Sequence, residues 1–379
     1  MWLFIGLMVF TVIAMGVTTG LTPYFSRRAT PFGISVPVDE LKSVFLKGLV
    51  KNYVTINVVI SVLLALPMLV MPFVFEGEAV EVAVSIYLIV SIFLFMAISF
   101  ALYLFYRKKI TTWKKQFIND TNDIKKTVII DTNFHKDLKL ISSRAVILWQ
   151  LFIIVMTTLI ALLNYDRIPN QIPINFDSQF QANQFVMKSY VTVLAFPGLQ
   201  MLMVPILYLA YYSFIKSRQK LSPLAPLVSS LKSKLFRQAW TRFFFALSIL
   251  TQLLISVLFL TTTLLDETYI WIAMVSIFTF LVFTIASSIY LSLKYGQAGE
   301  KLKIDNDDET SQYYQDPEDD DKWLAGMFYY NPDDAAIFVE KRFGIGTTVN
   351  LARWQAWAFT LGIVILTLAM VLWGFLLDQ

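Results

Sequence analysis

The sequence predicts an all-α polytopic membrane protein of eight transmembrane helices, with both termini outside and a small cytoplasmic β-rich patch before the last helix. Hydrophobic residues make up 57% of the 379 and charged residues 15%, too little polar surface to enclose a soluble core of this length. Eight uncharged apolar runs reach the roughly 20 residues that a helix needs to cross about 30 Å of hydrocarbon. Of the 31 Lys and Arg residues, 29 lie in alternate connections between those runs, as expected where positive charge is retained in the cytoplasm.

The runs cover residues 2–21, 53–75, 82–106, 145–163, 190–214, 243–265, 269–293 and 357–377. Backbone groups in hydrocarbon must be bonded internally, and runs this long without alternation achieve that as helices and not as barrel strands. The first lacks the leading basic residues of a cleaved signal peptide; its pair Arg27, Arg28 follows the run, so it reads as a retained helix with the N-terminus outside. The chain then divides into a first helix (1–22), a cytoplasmic loop (23–52), a helical hairpin (53–106), a basic cytoplasmic loop (107–144) and a helix pair (145–214) around an extracytoplasmic loop (164–189). A second basic loop (215–242), a second hairpin (243–293), an acidic flexible linker (294–322), a cytoplasmic β-rich domain (323–353) and a final helix (354–379) follow.

Within the first loop, Leu41, Val44, Phe45, Leu46 and Leu49 alternate with Lys42, Lys47 and Lys51, the pattern of a basic amphipathic helix lying on anionic lipid, or of an inward extension of the second helix. No Asp, Glu, Lys or Arg lies at membrane depth. The intramembrane polar residues are amides, Asn57, Gln150, Gln200 and Gln252, which read as interhelical hydrogen-bonding groups or as the lining of a transport path. In the exterior loop, Pro169 and Pro173 forbid a regular helix and bias Ile168 and Ile172 to extended backbone, so a stiff polyproline-like peptide is expected, with Ile172, Ile174 and Phe176 covering the helix ends.

That loop carries a resemblance. The spacing of Pro169, Pro173, Asn175, Phe176, Asn183 and Lys188, with Ile168, Ile172, Ile174 and Phe185 between them, resembles the extracytoplasmic loop of the bacterial family that includes the SdpI-type immunity proteins against secreted peptide toxins. Where that family carries His and Asp, this chain carries Asn175 and Asn183, amides that hydrogen-bond but do not titrate near neutral pH. The resemblance implies peptide-toxin (bacteriocin) immunity, with these six residues as binding candidates.

From Lys303 to Lys322 the chain holds nine acidic residues and reads as a solvated tether, pairing loosely with basic residues of the 107–144 loop such as Arg107, Lys114 and Lys115. Asp305, Asp307 and Glu309 lack the turn glycine of a calcium loop. Beyond it, Trp323 and Met327 to Tyr330 are strand formers, Asn331, Pro332, Asp333 and Asp334 signal a turn, and Ile337 to Val339 and Thr347 to Val349 resume extended chain. A three-strand patch is expected, with Gly344 and Gly346 permitting unusual backbone angles and Asn350 capping the approach to the last helix. Trp323, Gly326, Phe328, Tyr329, Tyr330, the Asn331–Asp334 turn, Lys341, Arg342, Gly344, Gly346 and Asn350 also resemble a short C-terminal domain of unknown function found in some Gram-positive membrane proteins, and stand as a second set of binding candidates. A short echo, Phe-Gly-Ile at 32–34 and again at 343–345, suggests that the first and seventh connections share a surface.

Catalysis has little to stand on. There is no cysteine, and the single histidine, His135, near Asp131 and Asp137, offers neither the paired His of a zinc protease nor a triad with a nucleophile elbow. No phosphate-binding glycine loop is present. The expectation is a non-enzymatic, multi-pass protein of the bacterial cytoplasmic membrane without metal or cofactor. Its partners are the lipid bilayer and a secreted peptide toxin or another membrane protein, with no nucleic acid. A transporter or permease-like subunit and a membrane-anchored adaptor or sensor recruiting a cytoplasmic regulator are the alternatives.

Overall fold

A computed structural model describes residues 2–37, 40–116, 134, 138–176, 182–218, 221, 225–265, 269–304 and 317–377. Those residues include eight long α-helices: α1 (Trp2–Phe25), α2 (Val44–Val70), α3 (Glu78–Lys114), α4 (Ser143–Leu163), α5 (Tyr190–Lys216), α6 (Pro226–Leu264), α7 (Ile270–Tyr295) and α8 (Trp354–Leu377). The first seven are long and apolar enough to cross a bilayer, and α8 is apolar over Trp354–Ala369. The protein is a multi-pass membrane protein, mostly helical with small sheets.

Three helices run further than their apolar runs. Ser43 accepts a hydrogen bond from Leu46 N and starts α2 at Val44, which continues unbroken to Val70. From Val44 onward the basic amphipathic segment is therefore an extension of the second helix and not a separate surface helix. Helix α3 carries Arg107, Lys108, Lys109 and Lys114 on its last turns, and α6 begins at Pro226, so the start of the first basic loop and the part of the second from Pro226 onward are helical. Charged residues close a helix as well as apolar ones once they stand clear of hydrocarbon; a count of apolar residues finds the span but not the helix end.

The chain forms two compact units, one from Met1–Phe134, Arg218–Phe236 and Ser292–Ala352, the other from His135–Ser217, Arg237–Leu291 and Arg353–Gln379. In the first, α1 packs on α2 through Gly16 and Gly20, where a Cβ on Gly16 would overlap the Ser61 side chain and one on Gly20 would sit 3.2 Å from Val54 O. Small residues let backbones approach closely enough for dispersion to hold helices together in lipid. The fully buried Asn57 lies in this contact, but its amide donates to Tyr53 O of its own helix (2.8 Å), so it is not the interhelical bond expected.

The second unit contains the other amides. Gln200 Nε2 of α5 donates to Gln252 O and to Ser256 Oγ of α6 (both 2.9 Å), Gln252 Nε2 donates to Gln150 Oε1 of α4 and to Gln200 O (both 3.3 Å), and Ser256 meets Thr157 of α4 at 2.6 Å. All three glutamines are fully buried. They bond one another across three helices, the interhelical role expected of them.

Candidate functional site

Between α4 and α5 the chain forms a hairpin, β1 (Gln171–Phe176) antiparallel to β2 (Ala182–Met187). This corrects the polyproline-like loop. The prolines exclude helix but leave extended backbone free to pair, and a two-stranded ribbon consists only of edge strands, where a residue without N–H is tolerated. Pro173 pairs in register with Phe185, Asn175 with Gln184 and Phe176 with Ala182, with irregularities around Asn175. Pro169 is exposed at the base.

The base is tightly held. Ile168 and Ile172 are buried with Ala161 of α4, Val193 of α5 and Phe259 of α6. Tyr165 and Tyr190 stack at 4.5 Å, and Lys188 Nζ lies 5.0 Å over the Tyr165 ring while donating to Ile168 O at 2.8 Å. Lys188 is thus a clamp on the turn and not an outward-reaching ligand. Ser189 and Thr192 form a reciprocal cap that starts α5. What the ribbon leaves exposed is the row Asn183, Phe185 and Met187, the last two at 48% and 71%. The alternation of that row is legible in the sequence, yet Phe185 enters only through the resemblance and Met187 not at all.

The second candidate set, in the first unit, proves to be a packed structure of four short strands instead of three. Strands β3 (Trp323–Leu324) and β4 (Phe328–Tyr329) form one ribbon, β5 (Phe338–Glu340) and β6 (Thr347–Val349) another, and a parallel bridge from Tyr329 to Asn350 joins them. Asn350, fully buried, accepts from Ala352 N (3.2 Å) on the approach to α8, and it also holds the turn: its amide donates to Asn331 O (2.9 Å) and Asp334 O (3.1 Å) and its Oδ1 accepts from Asn331 N (3.0 Å). Tyr329 donates to Asp334 Oδ2 at 2.9 Å and accepts from Asn331 Nδ2 at 3.1 Å, while Arg218 reaches the same carboxylate at 2.5 Å. Burial pushes the Tyr329 phenol up to about 12, against the opposing Asn331 bond. Trp323, Tyr329, Arg342 and Asn350 are buried, so as binding candidates they hold the fold, whereas Leu324, Phe328 and Tyr330 are exposed at 55%, 48% and 48%, with Pro332 and Asp333 beside them.

This domain is pinned to the first connection. Arg342 pairs with Asp320, which also takes Lys114 Nζ at 2.6 Å and accepts from Ser35 Oγ at 2.9 Å. The end of the acidic segment is therefore an anchored turn (Pro317–Lys322) and not a solvated tether, and its pairing with α3 is not loose. Burial alone would raise the Asp320 carboxyl, but the Lys114 ammonium and the Arg342 guanidinium outweigh it and hold it below its ordinary value. Arg27 pairs with Glu340 and lies 4.0 Å from Glu300, whose carboxyl burial raises despite Arg27. Gln297, fully buried, exchanges two 2.8 Å hydrogen bonds with the backbone of Gly346. Lys341 N bonds the same Gly346 carbonyl at 3.0 Å.

Two left-handed turns meet at the centre, Phe32–Gly33 (φ 50° and 72°) and Ala325–Gly326 (φ 50° and 73°). Tyr103 donates to Phe32 O (3.2 Å) and Ala325 O (2.9 Å), and Arg107 to Gly33 O (3.1 Å). A Cβ on Gly326 would strike Arg107 and Tyr103, which is why that position carries none. The echo is physical: Phe32 and Phe343 stack at 5.6 Å, and Gly344 N donates to Ser26 Oγ at 2.6 Å. The sequence reading sets Arg107 against the acidic segment and not on the Phe32 and Gly33 carbonyls, counts Asp320 only among nine acidic residues, and misses Tyr103 and Gln297.

His135, Asp131, Asp137 and residues 305–316 lie outside the described residues, as does the Asn175 side chain. Among the described residues no three His, Asp or Glu side chains gather where they would hold a metal ion.

Helices, hairpin and pinned strand domain define a multi-pass membrane protein with one β element on each of two connections. Residues 152–201 match a domain of unknown function (DUF1648), spanning α4, the hairpin and the start of α5, and residues 332–357 match a family of unknown function (DUF5808), from the Asn331–Asp334 turn to the start of α8. No curated protein and no solved structure matches the chain.

Proposed function

We propose that the protein is an SdpI-type immunity or envelope-stress protein of the bacterial cytoplasmic membrane that binds a secreted peptide toxin and catalyses nothing. It would have eight spans, with both termini and the hairpin outside. The observation that carries this reading is the hairpin itself: a ribbon with a buried, cross-linked base that presents Asn183, Phe185 and Met187, an apolar row flanked by an amide, to whatever approaches. A stiff base means that a ligand pays little ordering entropy on the protein's side. Support for the family comes from the two domain matches, which fall on the two stretches whose residues carry the resemblances. Support for the orientation comes from the cation distribution.

The test is a challenge of cells lacking the protein with a panel of membrane-active secreted peptides. Sensitivity to at least one should rise and be restored by the wild-type chain but not by Phe185→Asp/Met187→Asp. No change across the panel, or full rescue by that variant, refutes it. Labelling Lys188 from outside but not Lys115 checks the orientation.

The exposed Leu324, Phe328 and Tyr330 favour a second reading, an adaptor that recruits a cytoplasmic regulator. Cross-linked partners lost on Phe328→Ala/Tyr330→Ala would support it, and unchanged recovery would end it.

A further inference from the structure

Two sets of basic side chains in the first unit contrast. Arg27, Arg107, Lys114 and Arg342 are spent inside the protein, on Glu340, on the Phe32 and Gly33 carbonyls, and on Asp320. Lys47 and Lys51 of α2 and Lys108 of α3 are exposed, and among the described residues no carboxylate pairs with them.

Their positions follow a rule. On α3 the exposed apolar residues Ile86, Val90, Phe93, Phe100 and Leu104 recur at helical spacing along one stripe, and Lys108 is its next position. On α2 the stripe of Leu69, Leu66, Val62 and Val59 continues through Thr55 to Lys51 and Lys47. Exposed, uncharged stripes of large aliphatic and aromatic side chains on membrane helices face lipid. At 1.5 Å per residue each runs roughly 30 Å before its first lysine, the thickness of the hydrocarbon. The two helices are packed together at this end, with Tyr53 and Tyr106 in edge contact at 5.9 Å, so the lysines belong to one corner of one unit.

We propose that Lys47, Lys51 and Lys108 form a docking surface for the headgroups of anionic phospholipids. An ammonium group offers three donors and no acceptor. Among the described residues these three meet no carboxylate, and a lysine stem laid along an apolar stripe carries its charge to the depth of the phosphates. Each unpaired ammonium near an anionic surface favours binding about fivefold. The complementarity is of charge and of depth together: the paired cations point into the protein, and the unpaired ones stand where the lipid-facing stripes end.

The experiment uses the full chain purified in a neutral detergent and loaded into nanodiscs of mixed dioleoylphosphatidylglycerol and dioleoylphosphatidylcholine, with retained lipid counted by native mass spectrometry. Wild-type protein should retain phosphatidylglycerol over phosphatidylcholine. Lys47→Gln/Lys51→Gln/Lys108→Gln should lower that preference roughly fivefold per lysine, and the corresponding triple Lys→Arg variant should restore it. Because none of the three makes a side-chain contact among the described residues, the melting temperature in detergent should not move. If the triple variant fails to fold, Lys108→Gln alone carries the test, with a fall of about fivefold expected. An undiminished preference in a folded Gln variant, or no preference in the wild type, overturns the proposal.

Discussion

Replacing Asp320 by Asn tests whether the acidic segment ends in an anchor. The carboxylate holds Lys114 at 2.6 Å and Arg342, and accepts from Ser35 N at 3.2 Å and Ser35 Oγ at 2.9 Å. Asn retains an acceptor for Ser35 but removes the charge, leaving the Arg342 side chain, 4% exposed, to rest on Gly33 O and the Trp323 face. Breaking a buried pair from one side costs about 3–5 kcal/mol; with Lys114 at 19% exposure able to reach water, the low end applies, about 3 kcal/mol. Unfolding in detergent reads the loss, and hydrogen exchange should localise it to 30–36 and 323–330. The pH dependence has a definite sign. The carboxyl lies below its ordinary value of 3.8 in the folded protein, so its stabilisation is complete above about pH 4 and disappears as pH falls through the folded value. The difference between wild type and variant should be level from pH 5 to 8 and close on acidification. A loss under about 1 kcal/mol, or a gap that widens in acid, refutes the anchor.

Two further outcomes check the helix packing. Gly16→Ala should destabilise the α1–α2 contact by about 1–3 kcal/mol because its Cβ overlaps Ser61, and Ser61→Gly in the same chain should recover most of that in a thermal melt. Gln252→Leu should cost about 1 kcal/mol in mixed-micelle unfolding, since it removes the donor to Gln150 and Gln200 while leaving the Gln252 carbonyl to accept from Gln200.

The membrane spans were legible because bilayer thickness imposes a length, and the Gln150, Gln200 and Gln252 network because amides in hydrocarbon bond one another, though Asn57 turns to its own helix instead. Helix ends were not: Lys108, Lys114 and the residues from Pro226 onward read as loop, since apolar content stops where helix does not. The hairpin was half visible. Ile172, Ile174 and Phe176 were read as extended, but the answering alternation of Asn183, Phe185 and Met187 was passed over because two prolines argued for an unpaired peptide. In the strand domain, composition located the Asn331–Asp334 turn and most strand formers but not the turn at Ala325–Gly326 that makes the first strand a ribbon, and it could not say that Asn331, Asp334 and Asn350 spend their polar groups on one another. Residue type announces hydrogen-bonding capacity, and only packing decides whether it is turned inward.

The Phe-Gly-Ile echo shows how a signal too short to carry weight in a sequence acquires it in a fold. Joining residue 32 to residue 343 closes a very long loop, but the entropic cost grows only with the logarithm of loop length, so distance along the chain is no great barrier. What the contact needs is a set of interactions that outweigh a few kcal/mol, and they are present. Phe32 and Phe343 stack on each other and on Tyr103, at about 0.5–1.5 kcal/mol per ring pair. Thr30 Oγ1 donates to Arg342 O, Arg342 donates to Gly33 O, and Arg27 pairs with Glu340. A glycine beside each ring, Gly33 at φ 72° and Gly344 at φ 86°, lets the backbone turn sharply while the aromatic side chain stays buried. Each half of the echo thus sets a buried ring beside a glycine at positive φ, with Phe32 itself left-handed and Phe343 not, and the two rings pack against each other.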